Sequence, residues 1–266
     1  MKKPKKESKN LRLAGLFTLV VIGLIIMSLL LKIIFIIRDS HFDGSHKFNI
    51  VLSGKNSLEV VSFSPANNSL SVLKVDDNLN PDETAKVLKI PVDGIVKAKD
   101  AVSEKNISST LFKAFLPLGN SFEKMTVLDL LRTFLFSRGV SQNEANVREF
   151  KSNLTQDQKS TLINLSFTDP AIYQENQSIE VINAADIAGL GSNVAQAISN
   201  IGGNVILVST SSNIESKSRI IYYGDLTYTD KRLNSFLGIP LEKTTTKGIA
   251  DVIIILGKDM MGKGSF

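Results

Sequence analysis

Three kinds of hydrophobic pattern follow one another along the chain. The first is an unbroken apolar run, LAGLFTLVVIGLIIMSLLL, from Leu13 to Leu31; Lys32 interrupts it and IIFII carries it on to Ile37. At ~1.5 Å per residue, Leu13 to Leu31 cover ~28 Å, close to the ~30 Å hydrocarbon core of a bilayer. The run has no polar face, so it predicts a transmembrane helix over 13–37 and not the core helix of a soluble fold. It is longer than the apolar region of a signal peptide and ends in IIFIIRDS with no small-residue cleavage pattern, so an uncleaved anchor is expected.

The second pattern is a series of short β-type runs mixed with helical spacing. After a polar stalk over 38–47, FNIVLSG (48–54), SLEVVSFSP and SLSVLKVDD predict three strands, the last two forming a hairpin around Pro65-Ala66-Asn67-Asn68. Lys86–Ile90 and Gly94–Val96 predict a further strand with a turn at Pro91-Val92-Asp93. Glu104–Phe115 and Thr126–Phe136 have helical spacing, and Val147–Phe150 predicts a short edge strand. Residues 48–150 are thus expected to form one mixed α/β domain. Residues 151–177 are polar and predict a connector carrying one short helix around Leu162–Leu165.

The third pattern is the cleanest. Ile179–Asn183 predicts a strand, Ala188–Ile201 a helix ended by Gly202-Gly203, and Val205–Val208 a buried strand. After a Ser-rich loop, Arg219–Tyr223 predicts a strand. Thr229 is expected to cap a helix reaching Leu237, and Asp251–Gly257 is the last strand. The order β-α-β-β-α-β over 178–262 predicts a two-layer α/β sandwich. The fold class is α/β: one N-terminal transmembrane helix followed by two small α/β domains.

Charge places the ends of the helix. Lys2, Lys3, Lys5, Lys6, Lys9 and Arg12 precede the run against a lone Glu7, so the tail over 1–12 is expected in the cytoplasm and the domains outside it. That tail holds about the whole net surplus of +5, so the basic pI is no argument for nucleic acid, and none is expected as a partner. The chain has no Cys, which removes disulfides, thiol nucleophiles and Cys metal sites. Its two histidines, His41 and His46, fall in the stalk with no third ligand nearby and are expected to be solvated. Ser-His-Asp catalysis in the folded domains is excluded. Gly189-x-Gly191 opens a helix after a strand but lacks a third glycine and an acid on the next strand, so a tight packing turn is expected and not a dinucleotide site.

The segments IEVINAADIAGLGSNVAQAISNIGGNVILVS, SRIIYYGD and DVIIILGKD resemble, in order and spacing, the LytR C-terminal domain of bacterial cell-envelope proteins over 178–260. Ala184 follows Asn183 where that family more often has Gly. The segments FNIVLSG, SLEVVSFSPANNSLSVLKVDD and KIPVDGIVKAKD are similar to the LytR-CpsA-Psr domain. Members with full motifs move glycopolymers from a polyprenyl-pyrophosphate lipid to peptidoglycan, with arginines on the pyrophosphate and acids on Mg²⁺. Here Asp76-Asp77 stands where that resemblance leads one to expect Arg-Asp, and no Arg occurs from Phe48 to Lys105. An arginine fork suits phosphate oxygens and an Asp repels them. The resemblance therefore implies a degenerate, non-catalytic domain, with no catalytic, cofactor or metal residues. The protein is read as an envelope binding or assembly module acting in cell-wall maintenance.

The alternative is a divergent glycopolymer phosphotransferase using Asp76, Asp77 and Lys55, with Mg²⁺ on Asp76 and Asp77, joined by Asp82 and Glu83. Its discriminator is an arginine pair reaching one cleft, and Arg132 and Arg138 are the nearest candidates. A transcriptional regulator is disfavoured by the topology. The expected location is the cell membrane, single-pass. The membrane is the expected partner, and peptidoglycan, another glycopolymer or an envelope protein stay open beside it.

Overall fold

The computed structural model describes residues 6–75, 79–116, 119–140, 145–151 and 153–262. The apolar run forms one helix, α1 (Lys6–Arg38), whose span Leu13–Arg38 has no part buried against the rest of the protein. From Leu13 to Arg38 its side chains are exposed all round, which distinguishes it from the core helix of a soluble protein and makes it a candidate membrane anchor.

The chain then builds two sheets, as its mixed patterns predict. The first has six strands: β1 (Phe48–Gly54), β2 (Ser57–Ser64), β3 (Ser69–Val75), β4 (Gly94–Lys97), β5 (Ser121–Glu123) and β6 (Ala145–Glu149). Their order is β5-β4-β1-β2-β3-β6. β1, β2 and β3 form an antiparallel meander, with Val51 opposite Val60 and Val60 opposite Leu73. β4 and β6 add on in parallel. The near-continuous apolar runs of β1 and β2 have a physical cause: both faces of this sheet are covered. Ile50, Leu52, Val61, Phe63 and Val72 pack under α3 (Ile107–Lys113) and α4 (Val127–Gly139). Val51, Val60, Leu73 and Ile95 pack on the other side against Leu88, Ile163 and Phe167.

The second sheet has five strands: β7 (Ser178–Asn183), β8 (Asn204–Thr210), β9 (Arg219–Tyr223), β10 (Leu241–Thr244) and β11 (Val252–Leu256), in the order β10-β9-β11-β7-β8. The parallel pair β7 and β8 brackets α7 (Leu190–Asn200), giving a βαβ unit. α7 and α8 (Tyr228–Leu237) pack on one face, where Ile179, Val181, Ile220, Val252 and Ile254 are fully buried.

The structure corrects several local expectations. Lys86–Ile90 is not a strand: Thr84–Leu88 is a single helical turn, α2, closed by Lys89 in the left-handed region. Leu88 faces the core while Val87 is exposed, and the helix is too short to show a period. The 151–177 segment carries two helices, α5 (Gln156–Phe167) and α6 (Pro170–Glu175). β10 was not expected, because LEKT has a single apolar residue and pairs only with β9. Thr229 lies inside α8; the cap is Thr227, in a reciprocal capping box with Asp230. The stalk is not a free polar tether. Phe42 is 2% exposed, inside an aromatic cluster with Phe48, Phe63 and Phe136.

Candidate functional site

The residues expected to carry chemistry do not assemble into a centre among the described residues. Asp76 and Asp77 lie outside them. Lys55 is exposed in the two-residue turn between β1 and β2, its N–H donating to the Asp100 carbonyl at 3.2 Å. Asp82 pairs with Lys124 at 3.4 Å. Arg132 donates to the Phe42 carbonyl at 2.6 Å and to Ser40 at 3.1 Å, and Arg138 lies over the Phe134 ring. The two arginines are thus committed to separate structural contacts. Gly191 serves close packing: a Cβ there would lie 3.3 Å from Asn183 and from Val208.

What the structure does bring together is a seam between the two sheets and the segment that follows α1. Asp93, in the turn before β4, accepts both fork nitrogens of Arg232 on α8 at 2.6 and 2.9 Å. Both side chains are almost fully buried. Burial disfavours the Arg232 charge, and the facing Asp93 outweighs it, so the guanidinium is held above its usual range. Asp93 also accepts the Asn49 N–H of β1, which ties the pair to the first sheet. At a second point, Asn200 of α7 donates to the free carbonyls of Leu88 and Lys89, capping α2 from the other domain. Lys89 in turn reaches Asn193 at 2.9 Å.

His46 is not simply solvated, as the sequence led one to expect. Its ring stacks on Tyr228 of α8 with centroids 3.8 Å apart, and Nδ1 meets Asp43 at 2.5 Å. Tyr228 donates its hydroxyl to Asp169 at 2.7 Å; burial, with Asp169 adding, pushes its pKa up. Lys47 is buried, which lowers its pKa to about 8 although Asp169 opposes the shift, and it donates to the Ser166 carbonyl at 2.7 Å.

Two adjoining clefts open on this seam. One, about 310 Å³, is lined by His41, Pro91, Val92, Asp93, Lys124, Ser235 and Phe236. The other, about 330 Å³, shares His41 and Ser235 and adds Asp43, His46, Lys47, Tyr228, Lys231 and Arg232. Together they make a groove with an aromatic wall and basic groups, starting three residues beyond the end of α1. Its acids Asp43 and Asp93 face His46 and Arg232, Asp43 from a half-exposed position; Lys124, paired with Asp82, is half-exposed too, and Lys231 and His41 are exposed. No set of three His, Asp or Glu side chains able to hold a metal occurs among the described residues. The groove thus carries both basic and acidic groups and an aromatic wall.

Sequence reasoning missed Asp93 and Arg232. Asp93 looked like a turn residue and Arg232 like the solvated face of a helix. They are 139 positions apart, and nothing local marks their meeting.

These features define a two-domain α/β protein behind one candidate membrane anchor. Residues 176–259, which hold the second sheet, match the family described as "LytR cell envelope-related transcriptional attenuator". No curated protein matches the chain. Among solved structures it is similar to the Lin1025 protein from Listeria innocua, at 9% identity over 83% of this chain and 95% of that one, with a TM-score of 0.19. It is also similar to a fragment of Lmo1026 from Listeria monocytogenes, at 11% identity over 74% and 98%, TM-score 0.20. TagT of B. subtilis follows at 12% identity over 75% and 94%, TM-score 0.18. Likenesses at these scores define neither fold nor function.

Proposed function

We propose that this chain is a single-pass, extracytoplasmic cell-envelope protein that binds or assembles envelope material and does not catalyse its transfer. The observation that carries the reading is the seam: a LytR C-terminal domain is clasped to the first domain through the buried Arg232–Asp93 pair. That clasp fixes a groove with Lys231 and His41 at its mouth, next to the membrane end of the chain. A fixed basic groove holds an acidic polymer without needing any reacting group. The basic residues ahead of Leu13 support an N-in, C-out topology.

The absence of catalysis is supported by packing. A polyprenyl phosphate needs a deep apolar channel with converging basic groups. In the first domain the space between the sheet and α4 is filled by Phe42, Phe48, Phe63 and Phe136, with ring centroids 5.2 to 6.3 Å apart. The test is co-sedimentation of the detergent-solubilised full chain with purified envelope glycopolymer of known acidity. Retention that falls at high salt and in Lys231→Glu supports the reading. Equal retention of wild type and Lys231→Glu at all salt concentrations rejects the groove as the binding site.

A further inference from the structure

The outer face of α3 and α4 carries a run of exposed apolar side chains, with Lys113 and Arg138 at its edges, and none of the described residues covers it. Val127, Leu131 and Leu135 stand at i, i+4 and i+8 on α4, on the side turned away from its buried residues Asp129, Leu130, Thr133 and Ser137. Leu131 is 41% exposed and Leu135 56%. Phe112 of α3 is 50% exposed, and its ring lies 5.6 Å from that of Phe134, which joins the two helices' surfaces into one patch. Leu116 extends it. Scattered exposed leucines need no explanation, but a continuous patch on two adjacent helices does.

The position of this patch names its occupant. Backbone bonds from Asp39 to Phe35 and from Ser40 to Ile37 continue α1 to its end. The next residues are held by Asp129, in the first turn of α4. Its carboxylate accepts Ser40 Oγ at 2.7 Å, the His41 N–H at 2.9 Å and the Phe42 N–H at 2.8 Å. Burial raises the pKa of Asp129, and these donors together with Thr126 outweigh it, so it stays ionised. From Arg38 to Ser40 the chain spans at most ~7 Å. The first turn of α4 therefore sits within one helix diameter of the point where α1 leaves the bilayer.

We infer that the α3–α4 face, carried by Phe112, Leu131 and Leu135, rests in the headgroup region of the leaflet from which α1 emerges. The exported part then stands on two supports, the anchor and this amphipathic face. Arg132, locked onto Phe42 and Ser40, fixes the angle between them. The inference rests on α1 being a membrane anchor, and its test separates the two.

The chain contains no Trp, so a single introduced Trp is a unique reporter. Leu131→Trp and Leu135→Trp change exposed side chains, and Leu24→Trp reports on the anchor itself. Each full-length variant is reconstituted into phosphatidylcholine–phosphatidylglycerol vesicles with and without brominated acyl chains. Blue-shifted emission with strong quenching by the brominated lipid at positions 24, 131 and 135 is expected, deeper at 24. If Leu24→Trp is not quenched, the anchor reading fails. If Leu24→Trp is quenched while both α4 variants emit as water-exposed indole, the proposed contact is wrong. Blue-shifted α4 emission without bromolipid quenching means that protein, such as a second copy, covers the face, and also overturns the proposal. Ile206→Trp, exposed on β8 of the other sheet, serves as reference: quenching there as strong as at Leu131→Trp shows that exposure alone draws the residue to lipid.

Discussion

The two sheets of this protein solve the burial problem differently. The first is sandwiched: β1 and β2 are buried along nearly their whole length, with separate apolar clusters above and below. The second is covered on one side only. Along β11 buried and half-buried residues alternate, so Val252, Ile254 and Leu256 face α7 and α8 while Ile253 and Ile255 face outward. Ile182 and Ile221 join them on that open side, and β8 ends the sheet with Ile206 and Val208 exposed. A closed sheet is a support, and an open one leaves surface for contact. The family match falls on the open sheet, and the support is attached to α1 through the Asp129 clasp.

The contrast is broken most severely at Ile254. Ile254→Asp puts an unpaired charge at a fully buried position of the second sheet and is expected to cost at least ~4 kcal/mol, enough to abolish its cooperative unfolding transition. An unchanged melting temperature would mean that this face is not the covered one.

Next in size is the link between the two regions. Asp93→Ala leaves Arg232 buried without its counter-charge, which is expected to cost ~3–5 kcal/mol. Differential scanning calorimetry should then show the two domains unfolding apart where the wild type unfolds together. One unaltered transition would mean that the seam carries no coupling.

How much of this was legible beforehand differs between the regions for the same reason. In the open sheet the burial alternates but the sequence does not: β9 (RIIYY) and β11 (VIIIL) hold unbroken apolar runs, readable as strands from their β-branched residues and flanking turns, while α7 is readable from its single apolar stripe. The sandwiched sheet hides its period. Its strands were readable as apolar runs, but in α2 the apolar residues of TAKVL gave no helical stripe in five positions and looked like a strand. Phe42 sat in a polar stretch, so its burial against Phe48 and Phe136 left no trace. The candidate groove was illegible altogether, because Asp93, His46, Tyr228 and Arg232 converge only when both domains are folded.

A titration sharpens the comparison. Glu59 of β2 is 3% exposed; burial raises its pKa to about 7, with Lys74 opposing and Glu104 adding. Its folded value lies above its unfolded one, so the folded state binds more protons between pH 4.5 and 7, and stability falls as pH rises through that window. The fall is expected to be ~2–3 kcal/mol. Lys47 acts oppositely: held at about 8 against 10.5 unfolded, it makes stability rise as pH climbs between those values. Denaturant midpoints of wild type and Glu59→Gln across pH 4–8 check this, and parallel curves would exclude Glu59 as the source. The smallest effect belongs to the open face, where Ile255→Ser should cost about 1 kcal/mol against the far larger cost at neighbouring Ile254.

Binding without transfer is checked by offering the protein the reaction that the alternative requires. The full-length chain in vesicles is given a labelled polyprenyl-pyrophosphate glycopolymer, peptidoglycan and Mg²⁺, and release of polyprenyl phosphate is followed. The sequence has Asp76-Asp77 where the alternative needs an arginine, and losing even one charge-assisted hydrogen bond costs ~1.5–3 kcal/mol. No release above the protein-free rate is expected. Release that is Mg²⁺-dependent and lost in Asp77→Ala would show that the first domain is a working transferase.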